Sequence, residues 1–568
     1  MNQMAIILMS FIGFTSLVAL ITFFKTKESN LDTVDGYFLG GRSLRGGVIA
    51  GSLLLTNLAA SNFIGMSAQA YDYNMCVMGW EVGAGITLVI VALFLVPKYL
   101  KQGITTIPDF LESRFDKGTK NIVTILFLAL YIVNMLPVTL YSGAVALSQI
   151  FHIETIFHVD YAHAIWGMVW IIGIIGACYA VFGGLKAVAI SDTINGIGLI
   201  VGGLLVPIFG LIALGKGNAG AGFQRFLTST PEKFNSIGSN SDPLPFSATL
   251  TGLVLVNLYY WGTDQSVIQR ALGAENLKEG QKGVMLAGVY KVFTPFILII
   301  PGIMAFQLLG GGIKNSDLVY PIFVNKVLPA PLIGLVAAAM MGAILSTFNS
   351  VLNSASTLFA MNVYKPRWGK GKSDAQLVKA GKIFAIVLAF ASMFCAPFIM
   401  NAPTGLYDYL QKVNGLFNVP IFTVIFIGYL TKRVPPLAAK IVLPFFIITY
   451  GLTQTVWHTG LHYLHVSAIL FVISCLIMVI IGKIHPMDHD FTLKSCGLVD
   501  IHPWKYRFRM AGFVIWLMNN MYIVFSKLGL AKTGGLDGGT ALAVCINTAF
   551  CLVLSLLLEK KFVKATDE

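Results

Sequence analysis

Charge is scarce in this chain. Asp, Glu, Lys and Arg together make up 11% of its 568 residues, against roughly 25% in an ordinary soluble protein. That shortage excludes a soluble globular domain of this length. Paired cysteines are missing too. None of the seven cysteines stands in a C-x-x-C spacing, and Cys178, Cys395, Cys475, Cys545 and Cys551 lie inside apolar runs. They read as small buried side chains, so neither a disulfide framework nor a metal site is expected. No nucleophile elbow, phosphate loop, metal cluster or selectivity-filter repeat occurs, which argues against an enzyme and against a steadily conducting pore. The start, Met1-Asn-Gln-Met4, lacks the basic region of a signal peptide. Lys25 and Lys27 follow the first apolar run instead, as in an uncleaved membrane anchor.

What is abundant is apolar. Hydrophobic residues account for 56% of the chain and the mean hydropathy is +0.77. Fifteen runs have the length needed to cross a bilayer, about 17 to 25 residues. They lie near 3–23, 45–69, 77–98, 121–149, 163–183, 189–215, 246–264, 284–309, 331–361, 378–400, 406–430, 438–456, 462–482, 510–526 and 540–558. The fourteenth is interrupted by Asn519 and Asn520. The expected class is therefore an all-α polytopic membrane protein of 14–15 helices, with the lipid bilayer as its solvent.

The formal net charge of +13 does not point to nucleic acid, because the basic residues are dispersed among short loops. With the N-terminus outside, the loops on the inner face would hold Lys27, Arg42 and Arg45, then Lys101, Arg114, Lys117 and Lys120, then Lys186, then Arg270, Lys278 and Lys282. The same alternation continues to Lys560 and Lys561, while loops such as 70–76, 150–162 and 457–461 have almost no Lys or Arg. This positive-inside bias predicts an outer N-terminus and, with an odd helix count, an inner C-terminus. The longest outer loop, about 216–245, is rich in Gly, Ser, Asn and Pro and is expected to form a partly ordered lid. An inner linker, 483–509, carries His485, His489 and His502 without metal-site spacing.

Against this background one segment stands out. Gly342–Thr357 lies between apolar runs, yet Ser346, Thr347, Asn349, Ser350, Asn353, Ser354, Ser356 and Thr357 are polar. An unpaired polar group in hydrocarbon costs several kcal/mol, roughly, so this face must meet protein, water or an ion. Two further segments mix polar and small residues as interrupted transporter helices do. One carries Thr56, Asn57, Ser61, Asn62 and Gly65; the other places Tyr259, Tyr260 and Trp261 beside Asn257, Gly262 and Gln265. Interhelical hydrogen bonding would account for either equally well. Ionisable residues at membrane depth weigh more, since burying an idle charge is expensive. Glu81, Asp192 and Lys291 are such residues, with interfacial exposure as the alternative for the acids and snorkelling for the lysine. Gln411 adds a neutral hydrogen-bonding group.

The run Asn257-Leu-Tyr-Tyr-Trp-Gly262 followed by Ile268-Gln-Arg270 resembles the sodium/solute symporter family in its sugar-transporting branch. The likeness extends through Phe63-Ile-Gly-Met-Ser67, Ile107-Pro-Asp-Phe110, Phe182-Gly-Gly-Leu185 with Asp192, and Leu352-Asn-Ser354 with Tyr364-Lys365. It spans about residues 30–430. The resemblance implies an accessory helix within 1–30, inverted five-helix repeats over 45–215 and 246–430, and accessory helices over 431–568. It implies a sodium ion held by the carbonyls of Leu55, Leu58 and Ala343 with the hydroxyls of Ser346 and Thr347, and Asp192 as a nearby coupling acid. It also implies sugar contacts from Asn62, Glu81, Asn257, Tyr260, Lys291 and Gln411, and gating by Tyr260, Met66 and Tyr407. Asn62 stands where the family's sugar carriers have a longer amide and Ala84 where they have a hydroxyl, so the preferred sugar or polyol is expected to differ. The activity implied is sodium-driven symport of a hexose such as galactose or glucose across a plasma membrane, the inner membrane of a bacterium. Competing readings are symport of an inositol, a carboxylate or an amino acid, and a sodium-coupled sugar sensor.

Overall fold

A computed structural model describes residues 3–26, 32–401, 406–457, 459–493 and 495–562, with the side chains of 180–183, 401 and 406–409 outside the description. Among the described residues the regular structure is all helical, apart from two isolated bridges, Leu44 with Ala274 and Asn276 with Asp500. In chain order the elements that matter are α1 (Gln3–Thr26), α2 (Gly46–Asn57), α3 (Ala60–Asp72), α4 (Met75–Gln102), α5 (Lys117–Ile150), α6 (Tyr161–Tyr179) and α7 (Gly184–Leu214). Next come α8 (Gly252–Gly262) and α9 (Gln265–Leu272), then α10 (Leu277–Phe293), α11 (Pro295–Leu309), α12 (Ala330–Trp368) and α13 (Asp374–Met400). The last five are α14 (Leu406–Leu430), α15 (Pro436–Thr455), α16 (Tyr463–Ile484), α17 (Arg507–Val524) and α18 (Gly538–Phe562).

Eleven of these spans are long and apolar enough to cross a membrane, and thirteen if the bent pairs α2–α3 and α10–α11 each count as one. The other two apolar runs of the sequence are helical as well, but 246–264 is divided into a short turn, Phe246–Thr249, and α8, and α17 begins with Arg507 and Arg509.

Breaks and bulges follow local chemistry. The α10–α11 bend, 42°, falls at Pro295, whose ring removes a backbone donor and crowds the preceding turn. Gly184, between α6 and α7, has φ 61° and ψ −177°, a conformation open essentially to glycine alone. Three turns widen to π geometry, Val91–Leu95, Tyr131–Met135 and Phe359–Tyr364. Each is followed two residues later by a proline, Pro97, Pro137 or Pro366, which disturbs the helical ladder of the turn before it. The α2–α3 bend is sharper, 59°, and has no proline.

The polar helix lies at the centre. In α12's most apolar stretch 78% of the residues are buried, against 11% in α1 and 17% in α18. It packs on α1, α2, α5, α7 and α13, so its polar face meets protein. The lid expected over 216–245 is an ordered, docked element: Ala219–Ser229 is helical, and Lys233 Nζ donates to the carbonyls of Tyr71 (2.6 Å) and Tyr73 (2.9 Å) while lying 3.9 Å above the Phe306 ring.

Candidate functional site

The α2–α3 break sets the site. Leu58 has φ −78° and ψ 67°, outside the helical region. The Ala59 amide, which an unbroken helix would aim at the Leu55 carbonyl, donates to Asn57 O (2.9 Å), and the Asn62 amide, due at Leu58, donates to Ala59 O (3.0 Å). The carbonyls of Leu55 and Leu58, both in fully buried residues, are thereby released from the helical ladder.

Facing them is the first polar turn of α12. Thr347 Oγ1 donates within reach of two carbonyls, Thr56 O across the interface (3.2 Å) and Ala343 O on its own helix (3.1 Å). A donating hydroxyl keeps both lone pairs. Ser346 Oγ is buried without a hydrogen-bond partner among the described residues, although it lies beside the Asp192 carboxyl. Two hydroxyls and released carbonyls form an oxygen set suited to a hard monovalent cation. Gly342 permits the approach: a Cβ there would fall 2.5 Å from Asn195 Cγ on α7.

Behind this turn lies a buried charge network. Asp192 Oδ2 accepts from Ser52 Oγ (2.8 Å), and Arg270 Nε donates to the same hydroxyl (2.9 Å). Arg270 Nη2 stands 4.0 Å from Asp192 Oδ2 and hydrogen-bonds Ser350 Oγ, which is 3.2 Å from Thr56 Oγ1. Asp192 is 1% exposed and Arg270 fully buried. Interfacial placement is thus overturned for Asp192, and Arg270, assigned to an inner loop with other basic residues, belongs to the core. Charge type alone could not separate a loop arginine from one whose partners come from α2, α7 and α12. A further buried carboxylate, Asp264 between α8 and α9, accepts from Tyr131 (3.0 Å), Tyr259 (3.2 Å) and the Ser266 amide (2.8 Å).

On the other side of the break is a cavity of about 110 Å³ lined by Thr56, Asn57, Asn62, Glu81, Asn257, Tyr260, Thr347, Gln411, Asn414 and Asn418, among others. Five of the six residues expected to touch a solute are therefore together: Asn62, Glu81, Asn257, Tyr260 and Gln411. Lys291 is not on the wall. It hydrogen-bonds Glu81 Oε2 and Asn57 Oδ1, with Thr294 Oγ1 also donating to Glu81 Oε2 (2.6 Å). Glu81 is 2% and Lys291 1% exposed, which overturns both the interfacial reading and snorkelling. Both bonds to Glu81 go to Oε2, which leaves Oε1 with acceptor capacity to spare. Tyr260 packs edge-on against Trp261 (5.1 Å between centroids). Met66 is buried in α3 away from the cavity wall, and the Tyr407 side chain lies outside the described residues. Asn414 and Asn418 went unremarked in the sequence, yet they share a helical stripe with Gln411 at i, i+3 and i+7.

The match to known proteins agrees with this geometry. A helical bundle with a broken span, released carbonyls and a polar cavity beside them defines a secondary transporter. Residues 37–439 match the model of the sodium:solute symporter family, and the chain belongs to that family. It is a multi-pass membrane protein and a sodium-coupled solute symporter, not an enzyme. It is 45% identical to the uncharacterized symporter YidK of Escherichia coli K12, over 94% of this chain and 92% of that one. It is 33% identical to the sodium/glucose cotransporter of Vibrio parahaemolyticus, over 72% and 77% of the two chains. Among solved structures, a sodium-coupled sialic acid symporter superposes with a TM-score of 0.73 at 22% identity, over 84% of this chain and 96% of that one, which establishes the shared fold.

Proposed function

We propose that the solute is a neutral sugar or related polyol, taken up with sodium into a bacterial cell across its inner membrane. The observation that carries this reading is the character of the cavity wall. Amides and hydroxyls dominate it, and the one carboxylate among its described residues, Glu81, is held by Lys291. A carboxylate or amino-acid solute would need a cation on the wall; Lys291, the candidate for that role, is engaged on the far side of Glu81. A polyol needs many donors and acceptors and no net charge. Relatives that include a sodium/glucose cotransporter support the same choice.

In this reading sodium binds at the carbonyls of Leu55, Leu58 and Ala343 with Ser346 Oγ and Thr347 Oγ1, and Asp192 adjusts the affinity of that site through Ser346. Thr347 touches both α2, just before its break, and the cavity, which gives sodium a direct route to stabilise the solute-binding arrangement. Ligands drive alternating access only through unequal affinity for its two states, and each sodium charge crossing the membrane contributes about 2.3 kcal/mol per 100 mV. Helices α2 to α7 and α8 to α14 act as the two inverted repeats, the N-terminus faces outward, and Tyr260 closes the inner side of the cavity.

The test is uptake of labelled galactose and glucose into proteoliposomes under an imposed sodium gradient, with unlabelled inositol, amino acids and organic acids as competitors. Sodium-dependent accumulation blocked by hexoses supports the reading, and block by carboxylates alone refutes it. Sodium current without accumulation would indicate a sensor. Ser346→Ala/Thr347→Ala is expected to abolish sodium dependence; unchanged dependence refutes the sodium assignment.

A further inference from the structure

One wall of the cavity has chemistry that the sodium and sugar assignments leave unused. Helix α14 presents Leu410, Gln411, Asn414 and Asn418 to it, a stripe that rises about 10 Å from Gln411 to Asn418 at 1.5 Å per residue. Opposite, the π turn Tyr131–Met135 brings Asn134 against α14. Asn134 Nδ2 donates to Asn414 Oδ1 (2.9 Å) and to Leu410 O (3.4 Å). The oxygen of Asn414 is turned toward Asn134, so the amino group on the other branch of the planar amide is the donor left for the cavity.

Asn418 is 4% exposed, and its Oδ1 has no partner among the described residues; across the cavity Asn257 Nδ2 is likewise buried and unpaired. A buried amide atom left unpaired is destabilising, and native structures keep few of them. Asn418, with an unpaired acceptor, and Asn257, with an unpaired donor, line the same cavity as Asn414. A hydroxyl both donates and accepts, so a solute with several hydroxyls would satisfy all three at once.

We infer that Asn414 and Asn418 bind the solute directly, Asn414 donating to one hydroxyl and Asn418 accepting from another, and that Asn134 is a positioning residue that fixes the Asn414 amide. The inference rests on the neutral polyhydroxylated solute proposed above, and it makes α14 a determinant of which hydroxyls are required.

The experiment uses the full chain in proteoliposomes under saturating sodium, with uptake of labelled hexose competed by a panel of monodeoxy and monofluoro hexoses. On the unaltered protein, two ring positions are expected to lose about tenfold in affinity when deoxygenated, the effect of one lost hydrogen bond to an uncharged partner. Fluorine accepts but does not donate, so it should partly rescue the position read by Asn414 and fail at the position read by Asn418. Asn418→Ala should raise the KM for hexose about tenfold with half-saturating sodium unchanged, and should add no further loss for the deoxy sugar matched to it. Asn134→Ala should raise KM less and be non-additive with Asn414→Ala. Asn418→Ser keeps an acceptor and should retain the discrimination, which covers the case in which Asn418→Ala fails to fold. Equal losses for every analogue would mean that these amides only pack helices, and would overturn the inference, as would a panel with no sensitive position. If the unaltered protein takes up no hexose at all, the sugar reading itself falls and this inference with it; sensitivity of uptake without matched analogue effects sinks the inference alone.

Discussion

Two carboxylates are buried on either side of the same broken helix, and they are held in opposite ways. Glu81 is clasped: Lys291 and Thr294 both bind Oε2, and Lys291 is in turn tied to Asn57 at the break. Asp192 is held loosely. Its arginine stands 4.0 Å away and reaches it through Ser52, while Oδ1 has no hydrogen-bond partner among the described residues. A tightly paired buried charge contributes shape and neutrality, because the cost of desolvation is offset only while the pair is intact. A carboxylate with a free oxygen beside unpaired Ser346 can respond to a cation that arrives and leaves. On the proposed reading, Glu81 belongs to the architecture of the solute cavity and Asp192 to sodium coupling.

The largest effect is expected where the clasp is broken. Lys291→Met would leave the Glu81 carboxylate buried opposite an apolar side chain, a change that costs about 3–5 kcal/mol. Thermal unfolding of the purified protein in detergent should show a large fall in midpoint, and transport should be lost. Adding Glu81→Gln to the same chain should recover most of the midpoint, since a neutral amide needs no counter-charge. Transport should stay weak, because the spare Oε1 acceptor is altered. A Lys291→Met protein as stable as the parent would show that the pair is not the clasp described here.

Asp192→Asn should do the reverse, with the smaller loss of stability and the clearer loss of coupling. Ser52 retains an oxygen to donate to, and Arg270 keeps its bonds to Ser52, Ser266 and Ser350, so the unfolding midpoint should fall by less than in Lys291→Met although Arg270 loses a counter-charge. Half-saturating sodium should rise by about tenfold, equivalent to ~1.4 kcal/mol, measured by uptake at a fixed hexose concentration, and the hexose KM at saturating sodium should stay near its parent value. A shift in hexose KM with sodium affinity intact would exchange the roles assigned to the two acids.

The contrast also explains what the residues alone could convey. The fifteen apolar runs, the buried polar face of α12 and the depth of Glu81, Asp192 and Lys291 all follow from the cost of polar groups in hydrocarbon, and they were legible. Arg270 was not. A basic residue past the end of an apolar run looks the same whether it faces water or turns back into the bundle, and only the serines of α2 and α12 with Ser266 decide. The side of Glu81 on which Lys291 lies was hidden for a similar reason: proximity to the cavity in sequence terms does not say which carboxylate oxygen a lysine binds. The prolines at 97, 137 and 366 each follow a π turn by two residues, a local signal that by itself marks a disturbed helix and not a function, and the stripe Gln411, Asn414, Asn418 is a helical period that gains meaning only from the place of α14 on the cavity wall.

The smallest predicted effect tests whether an unpaired buried atom by itself marks function. Asn353 lies two turns beyond Ser346 on α12, is 3% exposed, and has neither side-chain atom hydrogen-bonded among the described residues. By burial and lack of partners it resembles Asp192 Oδ1, but the cavity wall, the helix break and the coupling network lie elsewhere. Ser354, beside it, is engaged with Gln269 (2.8 Å), a contact within the bundle. If position relative to the break decides function, Asn353→Leu should leave half-saturating sodium and hexose KM unchanged. It should also leave stability unchanged or raise it by up to about 1 kcal/mol, since an apolar side chain of similar size removes an unsatisfied amide. Unfolding midpoints and uptake curves measured on the same preparation decide the matter. A loss of sodium affinity at Asn353→Leu comparable to that at Asp192→Asn would extend the sodium path along α12 well past its first polar turn, and the division between a cation-facing turn and a packing segment would have to be given up.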